Sequence, residues 1–202
     1  EFVEFPRHVL EMIRQPLEDG FVIVSRAKKT VSFPAQFMLV AAMNPCPCGY
    51  FGSDTRRCKC APGQIRRYLS KVSGPLVDRI DIHIDVPAIS FSKLRSKTSQ
   101  LDSAMMRADV IRAVGIQVER FGNGKLYTNA RMSHKQVEKF CKLDSASELI
   151  LKQAMQEFGL SARAHDKICK LARTIADLAR AENIAAEHVA EAISYRTLDR
   201  KL

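Results

Sequence analysis

Four cysteines within fifteen positions constrain this chain more than any other feature. In MNPCPCGYFGSDTRRCKC, residues 43–60, Cys46 and Cys48 form one C-x-C pair and Cys58 and Cys60 a second. For the thiols to act together, the nine intervening residues must double back, and Gly49, Gly52 and Asp54 supply turns for that path. Four thiolates about 2.3 Å from a zinc ion make a closed tetrahedron with no open position, a structural centre and not a catalytic one. Free thiols and disulfides are the other two readings. The C-x-C spacing is tighter than the common C-x-x-C, so spacing alone does not choose among the three. Arg56, Arg57 and Lys59 would offset the negative charge of a four-thiolate centre. The remaining cysteines, Cys141 and Cys169, lie in helical stretches and read as small buried hydrophobes. The five histidines are scattered and read as structural.

Compartment bears on the cysteine question. No run approaches the ~18–20 apolar residues of a membrane span. The opening residues, EFVEFPRH, lack the basic and apolar regions of a signal peptide. The expected location is therefore cytoplasmic, where thiols stay reduced and clustered cysteines are more often metal ligands than disulfides. The absence of an initiating Met suggests a piece of a longer protein. Among 202 residues, 32 are Lys or Arg and 22 Asp or Glu, a net charge of +10. Residues 1–90 hold 12 basic and 9 acidic side chains and residues 91–202 hold 20 and 13, so the excess lies mainly in the second half. Such a balance favours a polyanionic partner, nucleic acid first.

The order of elements points to an α/β part followed by an all-α part. Residues 6–18 predict a helix, with Pro6 suited to its first turn and Pro16 set to end or kink it. Two β-rich runs, 21–25 and 30–33, flank a basic tip and predict a hairpin. The continuous apolar run 37–45, FMLVAAMNP, predicts a strand buried on both faces, as in a parallel sheet. It ends on Asn44, a candidate site residue because ligands gather at the carboxyl ends of such strands. Residues 63–72 predict a helix, and the alternation Ile80, Ile82, Ile84, Val86 predicts a second strand. Residues 88–103, rich in Ser and Lys, read as a linker. Helices are expected over 102–121, 133–143 (N-cap Ser133), 145–159 (capped by Ser145 or Ser147, stopped by Gly159), 161–182 and 185–196.

Four segments taken together, EFPRHVLEMIRQPLEDG, LVAAMNPCPCGY, CKCAPGQIRRYLSKVSGPLVDRIDIHIDVP and LSARAHDKICKLARTIADLA, resemble the Mg-chelatase-like AAA+ ATPases of the YifB/ComM type. The resemblance covers nearly the whole chain in the right order. It implies the C-terminal part of an AAA+ (P-loop NTPase) core with a parallel sheet over residues 1–90, then a helical lid over 91–202. By that likeness Glu1 is the water-activating acid of the Walker B strand, its Asp partner falling before it. Residues 21–33 match the hairpin that precedes sensor 1, and Asn44 matches sensor 1 itself. Arg79, in GPLVDRID, matches the arginine finger, and Arg163, in LSARAH, the sensor 2 arginine of the lid. The implied cofactors are ATP and Mg, and the implied partner is the chain itself in a ring, with six subunits expected.

The residue types suit these roles. Phosphoryl transfer needs positive charge at the γ-phosphate and an oriented water. Arg supplies planar, permanent, bidentate charge. Arg163 falls in the first turn of its expected helix, where a cation opposes the helix dipole but meets an anion well. For Arg79 the plain alternative is a salt bridge to Asp78 or Asp81. No GxxxxGK occurs in the sequence, and GNGK at 122–125 lacks the spacing of a phosphate-cradling loop. The chain alone is therefore expected neither to hydrolyse ATP nor to bind it tightly. Two functions follow for the whole protein. One is a DNA-remodelling motor, similar to branch-migration helicases, in DNA uptake or recombination. The other is a chelatase-type or regulatory ring that remodels a protein partner without touching DNA. A third reading is a zinc-bearing nucleic-acid-binding module with no enzymatic coupling. Salt-dependent binding of forked DNA separates the first from the second.

Overall fold

A computed structural model describes residues 1–54, 56–87, 89, 102–122, 128–196 and 198. They divide into two compact units. The first comprises Glu1–Ile80 with Val86, and the second comprises Asp81–Asp85 with the helices from Ser103 onward.

In the first unit a short 3-10 turn, Phe2–Glu4, leads into helices α1 (Arg7–Met12) and α2 (Arg14–Asp19). The expected single helix breaks at Ile13, three residues before Pro16. A proline ring collides with the carbonyl four residues back, here that of Met12, and cannot donate to it, so the turn preceding Pro16 opens. Gly20, at φ 72°, ends α2 in the left-handed conformation. The hairpin follows as β1 (Phe21–Arg26) and β2 (Lys29–Pro34), antiparallel with Phe21 opposite Pro34 and Arg26 opposite Lys29. Helix α3 (Pro62–Leu69) begins at a proline, and Gln64 reaches back to accept from the Ala61 N–H at 2.9 Å. The four-residue α4 (Gly74–Val77) closes the unit. Val3, Leu10, Leu76 and Val77 are its most deeply buried apolar side chains.

The expected parallel sheet is not what the described residues form. Their sheet is the two-stranded antiparallel β1–β2 ribbon. Residues 37–45 and 80–86 have no strand assignment, and Met38, Val40, Ile84 and Val86 are 66–86% exposed. A strand is defined by its ladder partner, and a run apolar on both faces needs neighbours on both sides. One such pairing is present: the Phe2 N–H donates to the Ala42 carbonyl at 2.8 Å.

The second unit is helical. Helix α5 (Ser103–Phe121) is capped by Asp102, which accepts from the Met105 N–H at 2.7 Å. Helix α6 (His134–Phe140) starts at Ser133 with Gln136 reaching back to the Ser133 N–H. Helix α7 (Ser145–Phe158) is capped by Asp144, not by Ser145 or Ser147, and stops at Gly159 with φ 60°. Helix α8 (Ala162–Leu178) is capped by Ser161, and α9 (Ala186–Ser194) ends the series. Val137, Leu151, Ile168, Ala172, Val189 and Ile193 form the centre of one apolar core. The linker expected over 88–103 lies almost wholly outside the described residues. Beside the core sits a buried polar node. Asp177, fully buried, takes a two-pronged ion pair from Arg120 and accepts from Arg173 Nε at 3.0 Å and Asn129 Nδ2 at 2.8 Å. Arg173 then donates to the Ala181 and Glu182 carbonyls at 2.6 and 2.8 Å, tying off the end of α8.

Candidate functional site

Two groups of sequence-predicted residues come together in the first unit. The Phe2–Ala42 backbone bond brings the segment starting at Glu1 beside the apolar run that ends at Asn44. Asn44 Nδ2 then donates to Glu1 Oε1 at 3.4 Å, with both side chains exposed. A carboxylate acceptor and an amide sit side by side in solvent, an arrangement able to hold and orient a water between them. Behind them is Tyr68 of α3, which the sequence reasoning missed. Burial raises its hydroxyl pKa, while the backbone N–H of Asn44 pulls the other way.

The second group is the cysteine quartet. All six cysteines are free thiols, and the sulfurs of Cys46, Cys48, Cys58 and Cys60 lie within 4.8 Å of one another. Cys46–Cys48, Cys46–Cys58 and Cys48–Cys58 are separated by 3.4, 3.7 and 3.6 Å. A disulfide needs about 2.05 Å. A tetrahedron with 2.3 Å zinc–sulfur bonds has an edge of about 3.8 Å. The observed spacing therefore fits four-coordinate zinc with shifts of a few tenths of an ångström. Gly49 and Gly52 stand at φ 80° and 78°, where a side chain would be strained, and these are the turns that fold the two C-x-C pairs together. Backbone amides complete the cradle. The N–H groups of Lys59 and Tyr50 lower the Cys48 thiol to about 6, and the Cys60 N–H meets Cys58 Sγ at 3.4 Å. Burial pushes Cys60 up to about 12. The donor set is closed, so zinc there would supply shape and no reaction chemistry.

Arg79 and Arg163 are placed differently. Arg79, just after α4, pairs with Glu18 of α2 and donates to the Pro75 carbonyl at 2.8 Å. Its ion-pair partner is thus 61 residues away and is neither Asp78 nor Asp81. Arg163 belongs to the second unit, exposed in the first turn of α8 beside the Ser161 cap. Cys141 and Cys169 are buried there, and burial raises their thiols to about 11 and 12, inert values for hydrophobic-like cysteines. No helix among the described residues is long and apolar enough to cross a membrane.

Comparison with known proteins agrees with this division. The family model for magnesium chelatase, subunit ChlI, matches residues 1–94, and that for the ChlI C-terminal region matches residues 100–196. Competence protein ComM of Haemophilus influenzae is 42% identical over the whole chain. YifB of Escherichia coli, an uncharacterized protein, is 38% identical, also over the whole chain. An uncharacterized protein of Mycobacterium tuberculosis is 33% identical over 97% of it. The chain spans 38–39% of the length of these relatives. With two family models meeting end to end along it, the chain belongs to the magnesium chelatase ChlI family.

Proposed function

We propose that this chain is part of a ring-forming AAA+ ATPase. Residues 1–90 contribute the later portion of the ATPase core and residues 91–202 the helical lid. The observation that carries this reading is the Glu1–Asn44 pair at the end of two bonded segments. Glu1 accepts a proton from the attacking water, and Asn44 orients that water toward the γ-phosphate of MgATP. Arg79 and Arg163 supply the charge that phosphoryl transfer requires, Arg79 toward the nucleotide of a neighbouring subunit and Arg163 from the lid. The runs 37–45 and 80–86 are core strands whose ladder neighbours lie elsewhere in the parallel sheet of the longer protein, and their exposed apolar side chains support this. The quartet Cys46, Cys48, Cys58 and Cys60 holds structural zinc.

The motor acts on DNA in the cytoplasm, as a hexameric ring remodelling branched substrates. The net charge of +10 and a relative named as a competence protein support that part. With no GxxxxGK in its sequence, the chain alone does not turn over ATP. Mixing separates the arginine-finger role from a merely structural one. In the longer protein, Arg79→Ala abolishes ATPase activity, and adding a subunit defective only in its phosphate loop restores part of it. Failure of the mixture to recover activity contradicts the role in trans. Isothermal titration of this chain with MgATP shows weak or no binding; a sub-micromolar Kd contradicts the division of labour.

A further inference from the structure

The cysteine-stapled loop carries more than a staple needs. Residues 46–71 hold six cations, Arg56, Arg57, Lys59, Arg66, Arg67 and Lys71, against one acid, Asp54. That is half of all the basic side chains in residues 1–90. Four thiolates around zinc leave a charge of about −2, and Arg56, Arg57 and Lys59 on the loop already exceed that. The loop cations and Arg66 and Arg67 of α3 are exposed. Two aromatic rings stand among them. Phe51, at the tip of the loop, is 52% exposed. Arg56 lies 4.6 Å over the Tyr50 ring and donates to its hydroxyl at 3.1 Å, which holds guanidinium and ring as a flat, rigid pair. On α3, Gln64, Arg67 and Lys71 follow at helical spacing and share one face. With Pro47 and Cys60 of the loop they line a cleft of about 570 Å³, whose acidic member is Glu4.

Exposed aromatic rings interleaved with unneutralised arginines are poor surface chemistry for a protein with nothing to bind. They match what unstacked bases on a phosphate backbone require: π-faces for the bases and cations for the phosphates. We propose that the cysteine-stapled loop, with the Gln64–Arg67–Lys71 face of α3, binds single-stranded DNA. Phe51 and the Tyr50–Arg56 pair stack on bases while Arg57, Lys59, Arg67 and Lys71 run along phosphates. This rests on the DNA-directed reading above and names where that contact is made. Double-stranded DNA offers no free base faces at this depth, so a single strand is the partner that uses the rings as well as the charge.

The test is fluorescence anisotropy of the chain with a fluorescein-labelled dT20 strand, between 50 and 200 mM NaCl. Wild type binds with a negative salt slope. The triple substitution Arg56→Ala/Arg57→Ala/Lys59→Ala reduces that slope by about 2, at roughly 0.7 per lost phosphate contact. Phe51→Ala raises Kd roughly ten-fold while leaving the slope unchanged. Arg56→Lys keeps the charge and still loses affinity, because Lys does not form the planar pair. All four positions are exposed, and matching circular dichroism spectra confirm that the variants fold. If dT20 binds but these variants match wild type, the loop assignment falls and the DNA-directed reading survives. If wild type fails to bind dT20 at 50 mM NaCl, both fall. Equal displacement of dT20 by polyglutamate of matched charge overturns the proposal, since an acidic polypeptide would then serve as well as a nucleic acid.

Discussion

Stripping zinc from the quartet is the perturbation whose size follows most directly from the geometry. The measured sulfur separations of 3.4, 3.7 and 3.6 Å need shifts of at most about 0.4 Å to reach the tetrahedral edge of about 3.8 Å. The loop is thus already folded for the metal, and little of the binding energy goes into rearranging it. Tying Cys46 to Cys60 closes a segment of fifteen residues, a constraint on the unfolded chain worth about 3 kcal/mol. For a unit of roughly 80 residues, 1 kcal/mol shifts Tm by about 4–8 °C. Removing zinc should therefore lower the Tm of the first unit by about 12–24 °C. The assay pairs metal analysis with thermal unfolding followed by circular dichroism, with and without a strong chelator. One zinc per chain is expected, and Cys48→Ser or Cys58→Ser should reproduce the loss of both metal and stability. A stoichiometry below about 0.2 after purification with zinc, or a Tm moved by less than 2 °C on chelation, refutes the metal-staple reasoning.

Three further outcomes follow from named contacts. Asp177→Ala leaves Arg173 and Arg120 buried or nearly so without their carboxylate, and should cost about 3–5 kcal/mol in denaturant unfolding of the second unit; an unchanged midpoint contradicts the polar node. The hydrogen bond from His134 to Asp166 at 2.9 Å, aided by the charges of Asp166 and Glu138, raises the His134 pKa above its ordinary 6.5. Its contribution to stability is complete below that ordinary value and is lost as pH rises through the raised one. An NMR titration should show a midpoint above 6.5 that returns toward it in Asp166→Asn; a wild-type midpoint at or below 6.5 refutes the pairing. Finally, chelation of zinc in the longer protein should slow its ATPase several-fold, because the stapled loop lies in sequence between Asn44 and Arg79; an unchanged rate reduces the quartet to a local staple.

Much of the helical part was legible because each helix carries its own signals. Ser133, Ser161 and Gly159 cap or stop their helices without help from distant residues. Asp144 took the cap expected of Ser145 or Ser147 because its carboxylate reaches the Ser147 N–H at 2.8 Å. The hairpin was legible for the same local reason. The runs 37–45 and 80–86 have strand-like sequences, yet the described residues give them no ladder, since pairing depends on neighbours that a single run does not encode. Residue identity at the site was readable from the resemblance, but its partnerships were not. Arg79 meets Glu18 across 61 positions and Asp177 meets Arg120 across 57. No spacing rule links such pairs. The buried Arg173 and Asp177 sit on a helix whose apolar pattern gave no sign of them. Tyr68 had no sequence signal beyond its place on the buried side of α3.

Steady-state ATPase kinetics of Asn44→Ala in the longer protein test the Glu1–Asn44 assignment most directly. Loss of one positioned donor that acts on the transition state costs about 100-fold in kcat or more, with substrate binding largely kept. The predicted result is a kcat reduced by about two orders of magnitude with KM for MgATP within about three-fold of wild type. A kcat within two-fold of wild type would contradict the assignment of Asn44 to the hydrolytic site.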